Sequence, residues 1–177
     1  MIFNSIEYIL FLPIVFILFY LFRHKFRVFI LLAASYYFYI SWNPVFIILI
    51  ILSTLIDFGA GLLLEKTSSN STRRLLLGIS ICANLGFLFF FKYFNFALEN
   101  VNEAMLAVKA SYQPIEAWDI ILPVGISFYT FQTMSYTIDV FNGKTKAEKN
   151  LPYFALYVCF FPQLVAGPIE RYNNLLP

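Results

Sequence analysis

The sequence predicts an all-α, polytopic transmembrane protein, a single membrane domain over residues 1–177 with about six embedded segments. Three observations predict it. First, 60% of the residues are hydrophobic and only 12% charged, against roughly 25% charged in soluble domains. So few charged side chains could not cover a water-facing surface. Second, the apolar residues fall into long runs separated by short polar or basic stretches. Third, aromatic residues make up 20% of the chain, with 22 Phe and 12 Tyr. Phe sits well against lipid tails, and Tyr suits the interface, where its ring is dry and its hydroxyl wet.

The segments are justified in order. Residues 6–22 form an apolar run with Glu7 at its start and basic residues after it. That is the reverse of a cleaved signal peptide, so an uncleaved helix is expected, kinked at Pro13. After the basic stretch Arg23–Arg27, residues 28–42 form a short second segment. Its Tyr36, Tyr37, Phe38, Tyr39 and Trp42 are expected to make an interfacial belt. Asn43-Pro44 gives a turn, and residues 45–64 a third span. Residues 65–74 read as a polar loop and 75–98 as a fourth span, with Lys92 snorkelling to the outer interface. Residues 99–119 read as a loop with a surface helix. Residues 120–141 make the fifth segment, 142–150 a basic loop and 151–169 the sixth. Pro162, Gly167 and Pro168 predict that the sixth is broken or re-entrant, which requires burial in protein or a cavity.

Charge orders these segments. Loops 23–27, 65–74 and 142–150 are net positive, whereas 99–119 sets Glu99, Glu103, Glu116 and Asp119 against Lys109. With alternating spans, the basic loops share one side and the acidic loop takes the other. The positive-inside rule then puts the N-terminus outside. The sequon at Asn70 falls in a cytoplasmic loop on this topology and carries no expectation of glycosylation. Cys82 and Cys159 both lie in apolar stretches and read as small packing residues. A lone His24 leaves too few ligands for a His/Cys metal site. A net charge of +2 and the lack of a basic, aromatic-rich stretch exclude a nucleic-acid partner.

Polar residues within membrane segments default to functional candidates. In the fifth segment Gln132, Ser135, Tyr136 and Asp139 share one helical face, with Thr130, Thr133 and Thr137 as a neighbouring stripe. Such a face serves either an interhelical hydrogen-bond network or the wall of a substrate tunnel. Asp57, with Ser53, Thr54 and Gly61, is expected near the cytoplasmic end of its span, partly hydrated or paired with Lys66. Glu170 and Arg171, after the Gly167-Pro168 break, are expected to pair with other helices. No phosphate-binding loop, nucleophile elbow or His/Asp arrangement is present, so the chain shows no complete active site.

Two blocks carry a family resemblance. Leu122-Pro-Val-Gly-Ile-Ser-Phe-Tyr-Thr-Phe-Gln132, followed by Tyr136-Thr-Ile-Asp139, resembles the hallmark segment of membrane-bound O-acyltransferases, in particular the branch that acetylates alginate. Phe161-Pro-Gln-Leu-Val-Ala-Gly-Pro-Ile-Glu-Arg171 is similar to the following block. Phe89–Asn95 and the Tyr36–Trp42 cluster also fit, so the resemblance covers essentially the whole chain. It implies transfer of an acetyl group from a cytoplasmic thioester, acetyl-coenzyme A or another acyl thioester, to hydroxyls of an exported polysaccharide, with no bound cofactor. It also implies periplasmic or surface partner proteins and a bacterial inner membrane. The family's catalytic histidine lies in the later half of the fold, and His24 does not match it. The chain is therefore expected to be the N-terminal part of a longer enzyme, and to be inactive alone. Candidate tunnel-lining residues are Ser127, Tyr129, Gln132, Ser135, Tyr136, Asp139, Gln163, Glu170 and Arg171. D-alanyl transfer to teichoic acid by the same fold is the alternative within the class. A transporter or a non-catalytic assembly subunit is the alternative outside it.

Overall fold

The computed structural model describes residues 5–108, 113–164, 167, 171 and 172. Among these residues every regular element is a helix. They are α1 (Ile6–Leu21), α2 (His24–Ile40), a 3-10 turn (Pro44–Phe46) leading into α3 (Ile47–Lys66), α4 (Asn70–Val108), α5 (Ile126–Phe141), α6 (Leu151–Cys159) and α7 (Phe161–Leu164). The all-helical class holds.

The six-span count does not carry over unchanged. Among the described residues two helices are long and apolar enough to cross a membrane, Pro44–Lys66 and Asn70–Val108, and Ile6–Leu21 is apolar but shorter. The other expected segments are filled by shorter helices. The fifth segment becomes helical only at Ile126, because Pro123 lacks an N–H and Gly125 adopts φ 76°, a left-handed conformation that favours glycine. The loop expected at 65–74 shrinks to 67–69, since α3 runs to Lys66 and α4 starts at Asn70. The loop expected from residue 99 is helical to Val108. Polar side chains there did not end the helix because nothing in 99–108 breaks it: Glu, Ala, Met and Leu are good helix formers.

Local chemistry sets several ends. Ser5 caps α1, its hydroxyl accepting from Tyr8 N at 3.2 Å. The α1 helix runs on through Pro13. Asn43 Oδ1 accepts from Val45 N at 3.0 Å, which opens the turn before α3 with Pro44 at its first position. Beyond α4 the chain returns alongside it. Asn95 donates to Trp118 O at 2.7 Å and accepts from Trp118 N at 3.1 Å. Asn102 does the same to Ile115, at 2.8 and 3.0 Å. Seven helical residues rise about 10.5 Å, and three extended residues span about 10 Å. The two amides therefore match the spacing of the chain they hold.

The bundle has two distinguishable ends. At one, Arg73 donates to Leu64 O and to Phe141 O, each at 2.6 Å, capping the last carbonyls of α3 and α5 together. Ala147 N donates there to Glu65 at 3.0 Å. The basic stretches 65–74 and 142–150 thus share this end. At the other end the Tyr39 hydroxyl donates to Val124 O at 3.1 Å. Trp42, Asn43 and Phe46 border a cavity of about 120 Å³ with Ile121 and Leu122 there. As α2 runs between the two ends, the Arg23–Arg27 turn joins the other basic stretches, the grouping that the charge pattern predicts. The aromatic belt is corrected in part. Tyr37 and Trp42 are exposed, but Phe38 and Tyr39 are buried, because Tyr39 turns inward to meet Val124.

Candidate functional site

Helices α3, α4 and α5 pack on one another, and their shared seam is polar. Ser53, Thr54, Asp57, Ser80, Asn84, Thr130, Thr133 and Thr137 are all buried. Asp57, 0% exposed, is the hub. One carboxylate oxygen accepts from the Ser80 hydroxyl and from Thr137 Oγ1 at 3.1 Å. The other accepts from Asn84 Nδ2 at 2.7 Å. Asn84 donates its second N–H to Ser80 O at 3.0 Å, while its Oδ1 faces Ser53 Oγ at 2.9 Å and Thr133 Oγ1 at 3.3 Å. Among the described residues no Lys, Arg or His is a hydrogen-bond partner of Asp57. The expectation that Asp57 is partly hydrated or paired with Lys66 is therefore corrected. Asp57 sits dry between three helices, because α4 brings Ser80 and Asn84, one turn apart, over it.

A second cross-link joins α5 to α6. Gln132 Nε2 donates to Tyr157 O at 2.7 Å, and the Tyr157 hydroxyl donates to Gln132 O at 3.1 Å. This pairing follows from the break at Phe160, whose ψ of 109° is not helical. In a continuous helix the Phe161 N–H would bond to Tyr157 O. Instead Phe161 N donates to Ser35 Oγ of α2 at 3.2 Å, and the Ser35 hydroxyl in turn donates a hydrogen bond to Leu31 O at 2.7 Å. Gln132 takes the freed carbonyl. The expected interruption of the sixth segment is thus present, with Tyr157 O and Phe161 N taken up by side chains of neighbouring helices.

At the basic end, the Tyr136 hydroxyl accepts from Glu148 N at 2.9 Å, and the Tyr172 hydroxyl donates to the Glu148 carboxylate. A Cβ on Gly61 would lie 2.8 Å from the Tyr136 hydroxyl, so glycine is what lets α3 and α5 approach here. Burial and the neighbouring Glu148 carboxylate push the Tyr172 phenol well above its usual range.

The predicted residues separate by use. Gln132 ties α5 to α6 and Tyr136 ties it to the basic loop, while Ser135 donates within α5 to Gln132 O at 2.8 Å. The buried Tyr129 hydroxyl faces that of Tyr39 but completes no hydrogen bond of standard geometry. Ser127 and Asp139 are half-buried, Gln163 is buried in α7, and Arg171 is exposed. Glu170 lies outside the described residues. Cys159 is buried and free as expected, whereas Cys82 is corrected: it faces outward from α4. The sequence reading missed Ser80 and Asn84. Their signal was a one-turn spacing of two polar residues in an otherwise apolar helix.

The comparisons with known proteins bear on this arrangement. The chain is 39% identical over 99% of its length to the probable alginate O-acetylase of Pseudomonas aeruginosa, covering 34% of that protein. It is 37% identical over 99% of its length to the probable alginate O-acetylase of Azotobacter vinelandii, covering 35% of it. The chain belongs to the membrane-bound O-acyltransferase family, in its alginate O-acetylase branch. Within the same class, the peptidoglycan O-acetyltransferase of Helicobacter pylori is 31% identical over 83% of the chain and 31% of that protein. The chain thus spans about a third of the length of the curated O-acetylases it matches. No family profile matches it, and no solved structure does. As a member of this family with apolar helices long enough to span a bilayer, it is a membrane protein.

Proposed function

We propose that this chain forms the polar helical scaffold of an O-acetyltransferase that moves an acetyl group from a cytoplasmic thioester to hydroxyls of an exported sugar polymer. One observation carries the reading: alignment with proteins named O-acetylases runs along 99% of the chain, through both the α5 block and the α6 break. The acceptor class is kept broad, because one relative's name gives alginate and another's peptidoglycan. The N-terminus faces outside, and the basic end, with Arg73 and the 142–150 loop, faces the cytoplasm of a bacterial inner membrane. Acetyl-coenzyme A or a related thioester reaches the protein from that end, and periplasmic or surface proteins complete delivery to the polymer.

In this reading Gln132, Ser135 and Tyr136 are positioning residues that fix α5 against α6 and the basic loop. Ser127 and Tyr129, together with Asp139, Gln163, Glu170 and Arg171, are the candidates for facing the acyl group. General-base catalysis needs a base near the acceptor hydroxyl. His24, exposed at the start of α2, is not placed for it, so the base comes from the rest of the family fold. The test is transfer by the full-length protein in vesicles. Acetylated polymer formed from acetyl thioester, and not from a D-alanyl carrier, is expected. Transfer of D-alanine alone would replace this reading, and solute movement without any transfer would overturn it.

A further inference from the structure

Between Glu7 and Asp57 the sequence holds no acidic residue, yet the turn from α1 to α2 carries Arg23, Lys25 and Arg27. Glu7, in the first turn of α1 and sixteen residues from Arg23, is the one acidic residue on that hairpin, so the positive charge at this corner has no anion near it in sequence. Arg23 and Lys25 are exposed, while Arg27 is half-buried. The Arg27 guanidinium lies 4.8 Å from the Phe19 ring centre and 5.9 Å from that of Tyr20. Its Nε is buried and has no hydrogen-bond partner among the described residues. Leaving a buried N–H of a charged group unpaired is unfavourable. Beside it opens a slot of about 260 Å³ lined by Leu12, Phe16, Phe19, Leu31, Phe160 and Phe161. The slot follows α1 from Tyr20 to Leu12, eight residues or about 12 Å. Arg27 lies against Phe19 and Tyr20, two of its lining residues, and Phe160 and Phe161 at the break between α6 and α7 line it as well.

We propose that this slot holds an acyl chain of an anionic phospholipid whose phosphate is bound by Arg27. An apolar slot with a cation stacked on its lining rings matches the chemistry such a lipid presents. The guanidinium fork matches phosphate oxygens. Basic pockets between membrane helices on the cytoplasmic side attract anionic headgroups. Arg23 and Lys25 raise the local potential, and a zwitterionic lipid would bring the same tail without net charge to meet it. The bound chain presses on Phe160 and Phe161, where the helix is interrupted. The site requires only that the protein sits in a bilayer, so it stands apart from acyl transfer.

Full-length protein in phosphatidylcholine vesicles, doped with phosphatidylglycerol bearing a photoactivatable group in its acyl chain, tests the proposal. Cross-links are expected within residues 12–31 and 160–162. Unlabelled phosphatidylglycerol is expected to compete, and phosphatidylcholine or inorganic phosphate is not. Arg27→Gln lowers labelling about fivefold, the effect of one basic residue on anionic lipid attraction, and Arg27→Lys retains most of it. Leu31→Trp fills the slot and lowers labelling with the charge intact. Equal competition by phosphatidylcholine would overturn the proposal. So would unchanged labelling in Arg27→Gln and Leu31→Trp, or cross-links confined to other surfaces.

Discussion

The α3–α4–α5 trio and the α1–α2 hairpin are both built largely from apolar residues but held together by different forces. In the trio a hub of hydroxyls, an amide and one carboxylate ties three helices at fixed rotations. In the hairpin Phe11 meets Phe38 and Phe161 through ring contacts alone, at 6.2 and 5.3 Å between centres, and much of α1 stays exposed. Within lipid there is no hydrophobic drive between helices, so hydrogen bonds and close packing decide which faces meet. The trio is therefore the specified part of the fold, and the hairpin the part that surrounding lipid or further protein can adjust.

The sharpest way to break that contrast is at Asp57. Replacing it with Ala leaves donors of Ser80, Asn84 and Thr137 unpaired in a dry site. A loss of about 3 kcal/mol is expected, read as a lower melting temperature of the full-length protein in detergent. Asp57→Asn, which keeps shape and one acceptor, loses less. If Asp57→Ala melts like the parent, the hub does not specify the trio. Next comes Arg73→Ala, expected to lose about 2 kcal/mol, because two charge-assisted caps go at once. Arg73→Lys recovers only part, having no fork to reach Leu64 and Phe141 together.

The trio was only half readable from sequence. The polar stripe of α5 stood out, and Thr130, Thr133 and Thr137 were noticed as its neighbour. In the structure that neighbour faces the hub, while Gln132 and Tyr136 turn toward α6 and the basic loop. The choice depends on what α4 brings across. Ser80 and Asn84 are 23 and 27 residues from Asp57, and no local pattern reports a partner that distant. Depth was misjudged for the same reason: Asp57 looked hydrated because its position in a run was visible and the helix covering it was not. The break at Phe160 was readable because proline acts on the backbone within its own segment.

Two smaller tests sharpen the comparison. Gly61→Ala pushes a methyl group against Tyr136, and a loss of about 1–2 kcal/mol is expected. Combined with Tyr136→Phe the two losses should be less than additive, because the hydroxyl is the nearest atom. Strict additivity in a double-mutant cycle would mean that the helices do not meet there. In the hairpin, Phe11→Leu is expected to shift stability by less than about 1.5 kcal/mol, as a swap between large apolar residues. A loss as large as that at Asp57 would erase the distinction between the two regions.

The paired amides of Asn95 and Asn102 act as a gauge. A peptide entering hydrocarbon must have its hydrogen-bonding groups occupied before it leaves water, and here two residues of the incoming strand are already seated on α4. The length of chain between Trp118 and Gly125 then sets the depth at which α5 begins. Inserting one residue between Asn95 and Asn102 would rotate the second amide by about 100° off the strand. The error would surface at the mouth of the bundle, well away from the insertion itself.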